Sequence, residues 1–307
     1  MCTSTRPETD PVKVGRFLDL RTDFAFKRIF ATDQNKEFLI EFLNQVFRGK
    51  KKIIDLKYQN TVQPGGTPEA RSTIFDVRCT GANGEEFIIE MQRASQPHFA
   101  ERLLFYTSSL IGELAKRGES WDFKLPGIYF VAIMDFHLQH FDRTRYLHHC
   151  QLRYDDPLHH TLLDTYGFTL IELPKFKGKL QGLQTDLDKW CFLFKNLDKL
   201  HEIPVSLNTG ALKKLFPVAE VSKLSKEEYT MYQLSLLAKQ TEYAVLKNAE
   251  EKAEKRGERK GEKKGEKRAE EKMIRRLLTL NKMSIADIST VTGWSEEAIQ
   301  RIKDSMN

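Results

Sequence analysis

The sequence predicts an α/β fold in which helices flank a mixed sheet, because helical and strand-like hydrophobic patterns alternate along its first half. Residues 21–30 and 36–47 carry apolar side chains at helical spacing, and Gly49 follows the second of these segments. Residues 127–134 are apolar on both faces of a strand, which is typical of the centre of a sheet. We expect the order helix, three-stranded meander, helix, strand.

The meander occupies the residues between the second and third predicted helices. Its strands are predicted at 52–62, 72–80 and 86–92. The last two are separated by a turn that contains Asn83-Gly84, a pair that strongly favours a β-hairpin. The following helix is predicted at 97–118, with proline in its first turn and glycine at its end.

Two acids lie on the two strands of this hairpin. Alternation along the second strand places Glu90 and Gln92 on the same face, and pairing can bring Asp76 of the first strand beside Glu90. Two carboxylates in apolar surroundings are costly unless a cation or a proton joins them. Oxygen ligands of this kind suit Mg²⁺ or Mn²⁺. The structural alternative is that Asp76 is an edge-strand acid and that Glu90 pairs with Arg78 or Arg93.

Composition and charge set broad limits on the protein. Its 307 residues are 40% hydrophobic and 10% aromatic, which predicts a folded chain with one large domain or two. The formal charge of +6 weakly favours polyanionic partners. The N-terminus is polar, and no apolar run approaches the roughly 20 residues that span a bilayer. The cysteines are far apart and predict reduced thiols in a cytoplasmic protein: Cys2, Cys79, Cys150 and Cys191.

The segment 250–272 repeats every four residues, with small residues and glutamates recurring among lysines and arginines. Like charges at i, i+4 and interior glycines oppose a helix, while the pairs Lys255–Glu258 and Arg259–Glu262 at i, i+3 give it some support, so we expect a solvated, partly helical linker. A basic arm that binds nucleic acid is the alternative. Residues 273–307 then predict three short helices with a turn at Gly293, which suits either a DNA-binding helix-turn-helix or an ordinary helical hairpin.

Three stretches of the sequence resemble a known family. They are Thr22-Asp23-Phe24-Ala25-Phe26-Lys27-Arg28-Ile29-Phe30, Phe87-Ile88-Ile89-Glu90-Met91-Gln92-Arg93 and Arg102-Leu103-Leu104-Phe105-Tyr106. Together with the predicted element order, they resemble the PD-(D/E)XK nuclease superfamily. The resemblance is closer to the PD-(D/E)XK nuclease family transposases, relatives of the Rpn recombination-promoting nucleases. It implies a restriction-endonuclease-like αβββαβ core with a helical C-terminal extension.

The resemblance also implies roles for individual residues. Asp76 and Glu90 would be ligands of Mg²⁺ or Mn²⁺, together with the backbone carbonyl of Met91. Asp23 would be a further acidic residue near the metal. Gln92 stands where the superfamily usually has lysine. The implied chemistry is metal-assisted hydrolysis of DNA phosphodiester bonds.

Gln92 is a departure from the superfamily pattern. A glutamine supplies no positive charge and cannot act as a general base, although it can orient water. Lys27 or Arg102 could supply the missing charge.

From the resemblance we expect a DNA endonuclease associated with mobile-element recombination. One alternative is a catalytically inactive nuclease-fold protein that binds DNA or a protein through its helical tail, and another is a homo-oligomer, such as a dimer, held together by small residues between Ala253 and Ala269.

The predicted domain organisation has five segments. These are a flexible N-terminus (1–16), the nuclease-like domain (17–205), a helical extension (206–249), the charged linker (250–272) and the helix-turn-helix-like tail (273–307).

Overall fold

The computed structural model describes most of the chain. The described residues are 14–63, 73–114, 124–138, 142–155 and 157–306. They fall into two compact units, Met1–Glu242 and Tyr243–Asn307. No described helix is long and apolar enough to cross a membrane.

A six-stranded mixed sheet with the order β1-β4-β5-β6-β8-β7 lies at the centre of the first unit. Strands β5, β6 and β8 run parallel, and the other neighbours pair antiparallel. Two short strands, β2 and β3, form a separate antiparallel ladder. The strands are β1 (Leu56–Tyr58), β2 (Val62–Gln63), β3 (Thr73–Ile74), β4 (Val77–Gly81), β5 (Glu86–Gln92), β6 (Ile128–Met134), β7 (Leu147–Arg153) and β8 (Thr161–Glu172).

Helices cover both faces of the sheet. Helices α1, α2, α4 and α5 pack with one face of β5 and β6 in the larger hydrophobic core, and α3 packs against the other face. The predicted α/β class, with a mixed sheet flanked by helices, is confirmed. The helices are α1 (Asp23–Phe30), α2 (Lys36–Val46), α3 (Phe99–Leu114), α4 (Asp186–Asn196), α5 (Gly210–Val218), α6 (Lys226–Leu280), α7 (Ile285–Thr292) and α8 (Glu296–Asp304).

The predicted hairpin forms between β4 and β5, where Val77 pairs with Ile89. Gly84 has a φ of +82°, a backbone conformation that glycine adopts without strain. The single strand predicted at 72–80 is wrong, because the structure has two strands there, β3 and β4, with a break between Ile74 and Val77. The chain bends at Asp76, whose backbone N–H donates to the Glu90 carboxylate. Residues 64–72, which include the predicted start of that strand, and residues 115–118 of the predicted third helix lie outside the described residues.

Helix α6 continues through the charged repeat, which is helical throughout and exposed. The expectation of partial helicity was wrong because it gave most weight to the like charges at i, i+4. A lysine or arginine also stands three residues before each of Glu258, Glu262, Glu266 and Glu270, and such i, i+3 pairs of opposite charge stabilise a helix. The division into domains stays a prediction.

The second unit contains α6 from Tyr243 onward, together with α7 and α8. Ser284 caps α7 by accepting a hydrogen bond from Asp287 N, and the Asp287 carboxylate accepts one from Ser284 N in return. Gly293 ends α7 with a φ of +73°. Four buried isoleucines form the centre of this unit: Ile274, Ile288, Ile299 and Ile302. The two short helices predicted on either side of the glycine turn are confirmed, whereas the separate short helix predicted at the start of 273–307 was wrong, because those residues are the last turns of α6.

Candidate functional site

The two acids predicted from the hairpin meet at one edge of the sheet. Asp76 immediately precedes β4, and continuing the register of the Val77–Ile89 pair places it opposite Glu90. This is the edge at which the parallel strands β5, β6 and β8 end, in a row formed by Gln92, Met134 and Glu172. Carboxyl ends of parallel strands are a common place for ligand sites in α/β proteins.

Three hydrogen bonds hold the two carboxylates in place. Asp76 N donates to Glu90 Oε1 over 3.1 Å, and Met91 N donates to Asp76 Oδ2 over 2.8 Å. The Gln92 side-chain amide donates to Glu90 Oε2 over 2.9 Å. Glu90 is only 4% exposed and Asp76 is half-buried. The site is therefore largely preorganised by its own backbone.

The electrostatics of the pair favour a bound cation. Burial, followed by the charge of Asp76, raises the pKa of Glu90 to about 8. Burial also raises the pKa of Asp76, and the charge of Asp23 adds to that effect. The neutral amide donors of Asp76, Met91 and Gln92 do not cancel two negative charges. A proton or a divalent cation would relieve the repulsion.

The residues present fit Mg²⁺ or Mn²⁺. Within the described part of the chain, no group of three or more histidines, cysteines or acids is arranged to hold a metal. A pair of carboxylate oxygens is nevertheless enough for Mg²⁺, which keeps several waters and binds proteins through one or two carboxylates. Met91 lies beside the pair through its N–H bond to Asp76. The role of the Met91 carbonyl as a ligand stays a prediction.

Asp23 and Lys27 lie on helix α1 across a cleft from the hairpin. Both side chains line a cleft of 840 Å³ that Asp76 also lines, and they form an ion pair with each other over 2.8 Å. Burial lowers the pKa of Lys27, but the Asp23 hydrogen bond and the charges of Asp76 and Glu90 outweigh it and raise the pKa overall. The structure thus brings Lys27 within electrostatic reach of both predicted metal ligands.

Arg102 approaches Glu90 from helix α3. Its guanidinium donates to the Tyr106 hydroxyl over 2.7 Å and lies 5.5 Å from the centre of that ring. Its charge is one of the effects that lower the pKa of Glu90, although burial dominates in the opposite direction. The predicted site residues Asp76, Glu90 and Gln92 therefore have cationic side chains on two sides.

Comparison with known proteins agrees with this geometry. The sequence profile of the PD-(D/E)XK nuclease family transposases matches residues 20–249. The chain belongs to this family. No significant match was found among curated proteins or among solved structures. Membership in the PD-(D/E)XK nuclease family transposases gives the chain a nuclease-like role, and the family implies DNA as the substrate.

The family match extends beyond the sheet and into α6, and so does the cleft. Side chains from the first turns of α6 form one wall of the cleft: Glu228, Met231, Leu234, Ser235 and Ala238. Sequence reasoning missed this wall because it placed residues 206–249 in an extension separate from the nuclease-like domain. The apolar spacing along 227–246 was a signal that this helix packs against something.

Ion pairs connect α6 to the elements that surround the site. Arg28 of α1 pairs with Glu228, and Asp19 pairs with Lys239. Arg93, which directly follows Gln92, lies with its Nε 2.8 Å from Glu242 Oε2. No local sequence pattern links these partners, because each pair joins residues that are far apart in the chain.

Proposed function

We propose that the protein is a metal-dependent DNA endonuclease that hydrolyses phosphodiester bonds and takes part in mobile-element recombination or transposition. The observation that carries the proposal is the buried, facing pair Asp76 and Glu90, whose charges nothing in the described site neutralises fully. Membership in the PD-(D/E)XK nuclease family transposases supports DNA as the substrate.

Asp76, Glu90 and the Met91 carbonyl would hold Mg²⁺ or Mn²⁺. When bound, the metal neutralises charge on the phosphate and makes water a better nucleophile. Gln92 keeps Glu90 oriented through its 2.9 Å hydrogen bond. Asp23 adds negative charge on the α1 side of the cleft, where its ion pair with Lys27 holds that ammonium in place.

The positive charge that Gln92 lacks would come from the surrounding cations. Lys27 faces the cleft and is 45% exposed, so DNA can reach its ammonium group. Arg102 is held by Tyr106 on the Glu90 side. A fixed positive charge beside the phosphate stabilises the transition state of phosphoryl transfer.

Cleavage of supercoiled plasmid in Mg²⁺, Mn²⁺ or EDTA tests the proposal. We expect metal-dependent cutting by the wild type. The cleavage rate should fall about 100-fold or more in Asp76→Asn and in Glu90→Gln, because each substitution removes one oxygen ligand and its charge. Glu86→Gln is the matched control. Glu86 lies on the same face of β5, is 5% exposed, and is paired with Arg78 away from the site.

The outcomes separate two functions. Cutting that survives both site substitutions would contradict the assignment of the site. The second candidate function, a catalytically inactive nuclease fold that binds DNA or a protein, is favoured by the neutral Gln92 in contact with Glu90. It would be supported by a wild type that shifts DNA on a gel and cuts none of it under any metal condition.

A further inference from the structure

Arg93 has an unusual environment beside the predicted metal ligands. It is the first residue after β5, and its side chain lines the same cleft as Asp76 and Lys27. Its Nε lies 2.8 Å from Glu242 Oε2 of α6. Its Nη1 is buried and has no hydrogen-bond partner among the described residues.

A buried donor without a partner is rare in folded proteins and calls for an explanation. A guanidinium is always charged and presents its N–H groups as a rigid fork, which matches two oxygens of one phosphate. Burial dominates the raised pKa of Asp76, but the charge of Arg93 is among the effects that lower it. Arg93 and Asp76 line the same cleft, so a phosphate bound beside Asp76 lies on the side of the cleft that Arg93 can reach.

The other cations near the site differ from Arg93. Lys27 is bound to Asp23 over 2.8 Å. Arg28 lines the same cleft, but its guanidinium bonds both the Glu228 carboxylate and the Val218 carbonyl. Arg102 also has a buried Nη1 without a partner among the described residues, yet it is not among the residues that line this cleft.

We propose that Arg93 binds a phosphate of the DNA strand beside Asp76 and so joins Lys27 and Arg102 in supplying the positive charge that Gln92 lacks. Glu242 is the positioning residue: its Oε2 lies 2.8 Å from Nε, and Nη1 is left without a hydrogen-bond partner among the described residues. The inference rests on the proposed endonuclease function. It also makes α6 part of the active site, since this helix contributes the residue that orients Arg93.

The first test compares cleavage kinetics of full-length Arg93→Gln, Arg93→Lys and Arg28→Gln with the wild type. We expect kcat/KM to fall about 100-fold in Arg93→Gln, because one charged donor to the phosphate is lost. Arg93→Lys should recover part of this loss, since it keeps the charge without the fork. Arg28→Gln removes an arginine paired with α6 from the same cleft and should change kcat/KM less than about threefold.

The second test does not need cleavage. Binding of a short DNA duplex is measured in EDTA over a range of salt concentrations, and log K is plotted against log salt. Loss of one phosphate contact should make the slope shallower by about 0.9 in Arg93→Gln and leave it unchanged in Arg28→Gln. Glu242→Gln should weaken DNA binding severalfold with the wild-type slope, and Glu242→Asp should recover part of the affinity.

The two tests distinguish failure of this inference from failure of the proposed function. A wild type that cuts DNA, with Arg93→Gln equal to Arg28→Gln in rate and in slope, would overturn the role of Arg93 alone. A wild type that cuts no DNA would overturn the endonuclease proposal, while a shallower slope in Arg93→Gln would still establish Arg93 as a phosphate contact. Circular dichroism of each variant checks that it is folded, and partial recovery in Arg93→Lys argues against a purely structural loss.

Discussion

Strand β5 carries a buried glutamate near each end, and the two glutamates have opposite electrostatic surroundings. Glu86 and Glu90 lie four residues apart on the same face and are 5% and 4% exposed. Glu86 accepts hydrogen bonds from Arg78 over 3.2 Å and from Thr80 over 2.8 Å. Glu90 faces Asp76 and receives only neutral donors. The first end is neutralised from within the fold, whereas the second leaves negative charge for a ligand from outside.

Substitution by glutamine should change stability in opposite directions at the two ends. Glu86→Gln leaves the Arg78 guanidinium with Glu113 alone, and we expect it to lower the free energy of unfolding by about 1–3 kcal/mol. Glu90→Gln removes the repulsion with Asp76 and should raise that free energy at pH 8 in EDTA. Urea unfolding of both variants measures the difference. Destabilisation of similar size in both would mean that Glu90 is a structural acid like Glu86.

The effect of Glu90 on stability should depend on pH. Its pKa in the folded protein is raised from an ordinary 4.5 to about 8, first by burial and then by Asp76. Its favourable contribution is therefore complete below about pH 4.5 and is lost as the pH rises through about 8. The stability gained by Glu90→Gln should be small at pH 4.5 and largest above pH 8. Thermal unfolding across this range measures it, and a gain that does not vary with pH would contradict the shift.

Features that depend on residues close together in the sequence could be predicted. Alternation and the Asn83-Gly84 turn were enough to predict that Asp76 and Glu90 face each other, because strand register follows directly from a tight hairpin. The bend at Asp76 was not predicted, and at this position the Asp76 backbone donates a hydrogen bond to the Glu90 side chain and not to a neighbouring strand. Strand periodicity predicts regular backbone pairing between strands, so it gives no signal for a hydrogen bond from the backbone to a side chain.

The wall formed by α6 could not be predicted for a different reason. The sequence predicted a helical extension there, but the contact between Arg93 and Glu242 joins residues that are distant in sequence. Such a pair has no period and no motif, so it becomes visible only when the fold brings the two residues together. The same holds for the pair of Arg28 with Glu228.

Lysine in place of Gln92 tests whether the charge at the Glu90 end can be supplied from more than one position. In the Arg93→Gln background, Gln92→Lys should recover cleavage about tenfold, because the superfamily's usual position for the charge is restored next to Glu90. Plasmid nicking rates of the single and double variants measure the recovery. A double variant no faster than Arg93→Gln would show that a charge at this position does not replace that of Arg93.

Binding of Mg²⁺ without DNA gives the smallest expected effect and the most direct comparison of the two ends. A ligand that binds only the folded protein at ten times its Kd stabilises it by about 1.4 kcal/mol. For a unit of this size we expect the Tm to rise by about 3–5 °C. Wild type and Glu86→Gln should both show the increase in Tm, since Glu86 is paired with Arg78 and is not expected to bind Mg²⁺. Asp76→Asn and Glu90→Gln should lose it, and a shift of equal size in all four proteins would place the Mg²⁺ site away from the hairpin.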